Sequence, residues 1–320
     1  MSEIKLGSAA RLFKLEISVA TGNKKDKDFT AKVTNDSGAQ ANVATVRKKI
    51  FAHSPELSEL EKLRASARNE LTSDLVPWEK PYHLIPNMML TDHIGKASEL
   101  KNKFDRKVEE FKKSLPDLLD QAKDVLGSLY DPKDYPTVQE IDDYVAKNFR
   151  FSYSYPPVTE DAGFIPDIME EAKDQIRDMM EIEHKQNIDS TVQRLWGNLQ
   201  NVLNVLSVQL TDNANGKAKS LYDSMITNTL KEVKKMRNYS FVSNSPEMIK
   251  QCDDIEKLIK PYILKEKVMD AEGNIKELEK VDISEFRDKS GYGAHYREEM
   301  KANVDKVRSE VNNIMDKFGV

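Results

Sequence analysis

The chain of 320 residues carries a single cysteine, Cys252. One thiol excludes an internal disulfide and any zinc site built from several cysteines. With no disulfide framework, a cytoplasmic location is expected. Glycine is scarce, at 12 residues, which leaves little material for phosphate-cradling loops. The one paired-glycine stretch, Ser290–Gly291–Tyr292–Gly293–Ala294–His295, lacks the Gly-Lys-Ser/Thr ending of a phosphate loop and the preceding strand of a dinucleotide fingerprint. It reads as a tether ahead of the last helix. No apolar run approaches the roughly 20 residues of a membrane span. The N-terminal MSEIKLGSAARLFKLEISVA has no apolar core of secretory type. Histidines number five: His53, His83, His93, His184 and His295. None has His-Glu-x-x-His spacing or a second His or Cys one helical turn away. Cys252 has no accompanying base motif and reads as a structural thiol. The sequence assigns no catalytic, cofactor-binding or metal-ligating residue, and no cofactor is expected. An enzyme with a dispersed site, near His83, His93 or His184, is the third of three functional readings.

What is abundant is charge. Asp, Glu, Lys and Arg make up 32% of the chain, with a formal net charge of −5. That balance argues against a whole-molecule footprint for nucleic acid and leaves room for a local basic patch. Such a mix favours long helices with solvated faces.

Leu12 to Ala20 reads as a strand ended by Thr21–Gly22–Asn23, followed by a polar loop through Lys24–Phe29 and Thr34–Asn42. Val43 to Phe51 fits a strand or a short helix. Ser54–Pro55 starts a helix to about Thr72, with Leu57, Leu60, Arg64, Ala67 and Leu71 on one face. Pro77, Pro81 and Pro86 forbid a helix across the next segment. Thr91 or Asp92 caps a helix running to Leu129, about 55 Å at 1.5 Å per residue. Its apolar steps of three and four suggest a heptad. Pro116 either kinks it or opens a second helix capped by Ser114. Thr137 to Lys147 is a short helix with Glu140 placed for a capping box. Phe149 to Tyr155 alternates aromatic and polar residues and is expected to pair with the Leu12–Ala20 strand. From Pro166 helical spacing returns: Ile168, Ala172, Ile176 and Met179, then Ile188, Val192, Leu195, Leu199, Val202 and Leu206. After a turn at Asn213–Gly216, Leu221, Met225, Leu230 and Val233 mark a helix returning antiparallel. A helix starts at Ser245–Pro246. Asp270–Asn274 is a turn, and the chain to His295 reads as irregular. Met300, Val304, Val307, Val311, Ile314 and Phe318 mark a last heptad helix.

The expected fold is mainly α, with long antiparallel helical hairpins of coiled-coil character and a small two- or three-stranded antiparallel β element. Four regions follow: 1–90, an N-terminal β and short-helix region; 91–160, a long arm returning through a helix and strand; 161–240, a helical hairpin; and 241–320, a C-terminal helical region. Three seams call for apolar partners: Phe104, Val108 and Phe111; Leu195, Leu199 and Val202; Val304, Val307 and Val311. Partners for the spare seams would come from other copies, so a homo-oligomer is expected, with a protein partner and no membrane. Basic residues cluster at Lys24, Lys25 and Lys27 and at Arg47, Lys48 and Lys49. Arg150 lies between Phe149 and Phe151 in a strand of the kind that can stack bases.

LEISVATGNKKDKDFTAKV, SELEKLRASARNEL and LIPNMMLTDHIGKASELKNKFDRKVEEF, in that order, resemble a phage- and prophage-associated family known as domain of unknown function 3150. Its pattern is an N-terminal β segment with a basic turn, a short helix, an aliphatic–proline lead-in and a long charged helix. The matching positions are Leu15–Gly22, Leu63–Leu71, Ile85–Pro86 and the helix to Leu129, within about residues 10–155. The resemblance implies a phage-encoded factor in the host cytoplasm and supplies no catalytic residues. The first functional reading is a non-catalytic, self-associating helical scaffold or adaptor. The second is a nucleic-acid or DNA-end binding factor that protects phage DNA or inhibits a host nuclease.

Overall fold

A computed structural model describes residues 6–40, 43–51, 54–158, 170–211, 220–243, 245–269, 275–287 and 291–318. The chain is mainly helical. A helical turn, α1 (Leu6–Ala9), leads into β1 (Ala10–Ser18). Next come β2 (Asn23–Asp26), α2 (Lys27–Asp36) and β3 (Val46–Lys49). After α3 (Pro55–Thr72), the proline-rich segment holds β4 (Val76–Pro77) and β5 (His83–Pro86). Then follow α4 (Asn87–Leu126), α5 (Ile141–Asn148) and β6 (Arg150–Ser154). The second half holds α6 (Glu170–Leu210), α7 (Asp223–Asn238), α8 (Ser240–Ser243) and α9 (Pro246–Ile259). It closes with β7 (Ile263–Met269), β8 (Ile275–Val281), α10 (Ser284–Arg287) and α11 (Gly291–Phe318).

The expected pairing of the first strand with the aromatic strand is present: β1 and β6 run antiparallel, from Lys14 opposite Ser154 to Ser18 opposite Arg150. On its other half β1 pairs antiparallel with β5, from Ala10 opposite Pro86 to Phe13 opposite His83. The sheet order is β4-β5-β1-β6. It has four strands rather than two or three, because β4 and β5 lie within the proline-rich segment that the sequence leaves as plain extended chain.

Ser54 caps α3 as expected, its hydroxyl accepting from Leu57 N at 3.1 Å, and Pro55 takes the first helical position. The buried face holds Leu63, not Arg64. The helix α4 begins at Asn87, a turn earlier than Thr91 or Asp92, directly after Pro86. Pro116 sits exposed within it, and Ser114 donates to Phe111 O at 2.9 Å instead of capping a new helix. Buried positions on α4 are His93, Ala97, Leu100, Phe104, Val108, Phe111 and Leu115, with Ala122 further on. Steps of 4-3-4 taken twice make an eleven-residue repeat rather than a heptad, the spacing of a nearly straight helix lying on a core. The capping box of Thr137 and Glu140 forms ahead of α5.

In the second half, α11 lies antiparallel to α6. Gln200 Nε2 donates to Asn312 Oδ1 at 2.9 Å, Ser207 Oγ to Asp305 Oδ1 at 2.6 Å, and Arg297 to Gln209 O at 2.8 Å. The α7 helix packs on α6, and α9 packs on α7 and α11. Around α6 the buried set is Val192, Leu195, Trp196, Leu199, Leu203, Leu206 and Leu210, with Val202 only partly buried. The stretch expected to be irregular contains β8, which pairs with β7 ahead of it, from Ile263 opposite Val281 to Met269 opposite Ile275. The expected turns at Asn213–Gly216 and Asp270–Asn274, and the helix start at Pro166 with Ile168, lie outside the described residues.

Buried apolar side chains form two clusters. One gathers Phe13, Ile17, the α3 stripe, Phe104, Phe111, Phe149 and Phe151. The other gathers Trp196, Leu199, Val233, Ile255, Val304 and Val311, with Ala10, Val76 and Leu84 from the sheet. This corrects the ground for expecting a second copy at the seams. Phe104, Val108, Phe111, Leu195, Leu199, Val304, Val307 and Val311 are all buried within one chain, so their partners are intramolecular. Among the described residues, no helix is long and apolar enough to cross a membrane.

Candidate nucleic-acid interface

The two basic clusters are brought together by a ribbon. The β2 and β3 strands pair antiparallel, with Asn23 opposite Lys49, Lys24 opposite Lys48, Lys25 opposite Arg47 and Asp26 opposite Val46. Residues directly opposite in such a pair point to the same face, and successive residues alternate faces. Lys24 and Lys48 therefore share one face, and Lys25, Arg47 and Lys49 share the other.

The two faces have opposite electrostatic fates. On the inner face, Lys48 Nζ stands 2.6 Å from Asp134 Oδ2, and Lys24 Nζ stands 2.9 Å from Oδ1 of the same carboxylate. The Lys48–Asp134 approach is a close ion pair, since no hydrogen-bond geometry is met at Oδ2. Lys48 also donates to Leu129 O at 2.8 Å. The Lys48 and Asp134 side chains are 9% and 10% exposed. The contact with Asp134 raises the Lys48 ammonium above its usual range against the cost of burial. Burial pulls the Asp134 carboxyl up, but Lys48 and Lys24 outweigh it and hold it below its ordinary value. The ribbon is seated by Tyr135, whose hydroxyl donates to Ile50 O at 3.0 Å, and by Phe51, packed edge-on against Phe111 and Tyr135.

On the outer face Lys25, Arg47 and Lys49 are exposed. Among the described residues no carboxylate pairs with any of them. Lys25 across from Arg47 sets two cations against each other, which destabilises a ribbon by a few tenths to about 1 kcal/mol. Lys27 is exposed in the first turn of α2. The sequence reads this segment as a loop. It is a helix because Asp26 caps it, its carboxylate accepting from Phe29 N at 2.9 Å. Its face is solvated, with no buried residue and with Phe29 and Val33 exposed.

No family model, curated protein or solved structure matches the chain.

Arg150 does not join the ribbon. It lies on β6, 3.5 Å from Glu16, on the polar face of the main sheet. Base stacking on its strand is also excluded for two of the aromatics. Phe149 and Phe151 are buried against Phe111 and Phe104, with ring centroids at 5.2 and 5.5 Å, while Tyr153 and Tyr155 are half-buried.

His93, His83 and His184 serve packing, while His295 is exposed on α11. His93 is buried between Tyr155 Oη at 2.8 Å and Leu71 O at 2.9 Å, and burial lowers its pKa. His83 is half-buried, lowered by burial and then by Lys235 and Arg68. His184 lies edge-on to Trp78. His53 lies outside the described residues. Among the described residues no cluster of three His, Cys, Asp or Glu side chains could hold a metal. Cys252 is buried, its thiol facing Val233 O at 3.7 Å and pushed up to about 11 by burial. Gly291–Gly293 form the first turn of α11 instead of a tether, and Ser290 lies outside the described residues.

Proposed function

We propose that this protein binds nucleic acid through the outer face of the β2–β3 ribbon, with the helical remainder acting as the rigid body that presents it. The supporting observation is the sorting of the basic residues: Lys24 and Lys48 held by Asp134, with Asp26 3.8 Å from Lys48, and Lys25, Arg47 and Lys49 exposed with no carboxylate partner among the described residues. A two-stranded ribbon has the width that a duplex major groove admits. Three unpaired cations favour phosphate contact, which orients a protein without reading sequence. Phosphates opposite the Lys25–Arg47 pair would also relieve its repulsion. The resemblance to domain of unknown function 3150 adds a setting to this reading, a phage-encoded factor acting on DNA in the host cytoplasm.

The experiment is fluorescence anisotropy with duplex and single-stranded oligonucleotides across 50–200 mM salt. Binding to duplex is expected to fall with a log–log salt slope near −3, from about 0.9 per phosphate neutralised. The triple variant Lys25→Ala/Arg47→Ala/Lys49→Ala should abolish it, and Arg150→Ala should leave it unchanged. Salt-insensitive binding, or none to any oligonucleotide, would remove the proposal.

A self-associating scaffold is the second reading, and its support moves from the seams to a sheet edge. Leu12 N donates to Pro156 O at 2.9 Å. By alternation along the ladder, Ser154, Ser152 and Arg150 bond to β1, while Phe151 and Tyr153 turn their backbone groups outward. Among the described residues nothing pairs with that edge. It borders a groove of about 520 Å³ lined in part by Phe104 and Val108. Two copies could join there as one continuous sheet. Sedimentation across a concentration series tests this, and a constant monomer mass would dismiss it.

A further inference from the structure

A second site lies away from the ribbon. A cleft of about 450 Å³ opens beside α7, where the α3–β4 junction and the β7–β8 hairpin meet it. That volume is within the ~300–1,000 Å³ typical of small-molecule sites. Its floor is apolar, formed by Met89, Leu230, Ile263 and Val281. Its rim is cationic. Lys231, Lys234 and Lys235 all line it, because residues three and four apart on a helix share a face. Among the described residues Asp74 is the one carboxylate in the lining, and it is engaged at 3.0 Å by Lys231.

Lys235 is half-buried, and among the described residues its ammonium donates to a single acceptor, the Ser73 carbonyl, at 3.2 Å. An ammonium has three donors. Among the described residues no carboxylate pairs with it. A charge withdrawn from water without a counter-ion is costly, and the lack is made good by an anion or by loss of the proton. Nearby, the Asn238 side-chain amide faces Met89 Sδ at 3.5 Å, a weak acceptor. The cleft thus offers donors above an apolar floor and few acceptors of its own.

We infer that this cleft binds a small amphiphilic anion, its carboxylate or phosphate head held by Lys235 with Lys231 and Lys234 around it, and its short apolar tail on Met89, Leu230 and Ile263. The direction of the Lys235 pKa agrees: burial lowers it, although Glu232 and Asp74 pull the other way.

Isothermal titration of the full chain tests the site. The probes are decanoate below its micelle concentration, decanol as its neutral counterpart, and inorganic phosphate. Decanoate should bind one to one, and both controls should bind at least about tenfold more weakly. Lys235→Met keeps the aliphatic stem and removes the charge, and should weaken decanoate about 10- to 100-fold. Thr227→Trp, on the exposed rim of the cleft, should block it, and gives a second reading if the Lys235 variant folds poorly. No saturable decanoate binding, equal affinity for decanol, or unchanged affinity in the Lys235 or Thr227 variant would each overturn the inference. Phosphate binding as tightly as decanoate would overturn the apolar floor.

Discussion

The Tyr239 hydroxyl donates to Leu84 O at 2.5 Å and accepts from Val76 N at 3.1 Å. One side chain at the end of α7 thus satisfies backbone groups of two strands more than 150 residues earlier in the chain. Tyr239 is fully buried and stacks on Phe241 at 6.3 Å. Tyr239→Phe keeps the ring and leaves two buried backbone groups short of a partner. The expected loss is about 1–3 kcal/mol of unfolding free energy, measured by urea denaturation, with little change in helical content.

Asp134 decides how many cations the ribbon presents. Asp134→Asn removes the charge that holds Lys24 and Lys48. Stability should fall by about 1–2 kcal/mol. If the ribbon binds nucleic acid as proposed, the salt slope should steepen by up to about two as the released cations reach phosphate. The sign of the pH effect follows from the depressed Asp134 pKa. Its contribution is complete above the ordinary carboxylate range and is lost as pH falls through the folded value. The Asn variant should therefore lose less stability on acidification than the parent.

Alkaline pH should weaken the fold. Burial raises Tyr144 and Tyr135 from about 10 to about 12, and Cys252 from about 9 to about 11. A raised folded pKa means that stability is fully present below the unfolded value and is lost as pH climbs toward the folded one. Urea midpoints should hold steady to about pH 9 and decline from there to pH 12. Tyr144→Phe should flatten that decline.

Core truncation separates internal seams from intermolecular ones. Phe111→Ala and Leu199→Ala each empty a site that is fully buried within one chain. Losses of about 3–5 and 2–5 kcal/mol are expected. The melting temperatures of both variants should depend on protein concentration no differently from the parent's, because no association equilibrium is linked to these residues. A concentration dependence present in the parent and lost in either variant would return the seams to a second copy.

Elements with a local chemical signal were legible in the sequence. Ser54–Pro55 places the start of α3, Thr137 and Glu140 place the turn before α5, and alternation in Phe149–Tyr155 places β6 beside β1. The stripes were legible as stripes but missed by a residue in places: Leu63 for Arg64, Leu203 beside Val202. A turn of 3.6 residues lets either of two neighbouring positions face the core, and the apolar one takes it. His93 was hidden because a polar ring reaches the core when two partners satisfy it, while Ile94 is left exposed. Charged strands and solvated helices were hidden too. Lys27–Asp36 has no buried residue to betray it, and β7 and β8 are rich in Lys and Glu. At the ribbon, the identities of the basic residues were visible in the sequence. Their division into neutralised and unpaired sets was not, since it depends on strand register and on Asp134, far along the chain.

The position of β1 has a bearing on synthesis. It supplies Ala10 to one hydrophobic cluster and Phe13 and Ile17 to the other, and its neighbours β5 and β6 come much later in the chain. A nascent polypeptide emerging from the ribosome holds the Lys14–Ser18 half of this central strand without its companion until Arg150–Ser154 has been made. At typical elongation speeds that is roughly ten seconds or more. Through that interval Ile17 lacks its cross-strand partner Phe151 and stands open to any passing chaperone.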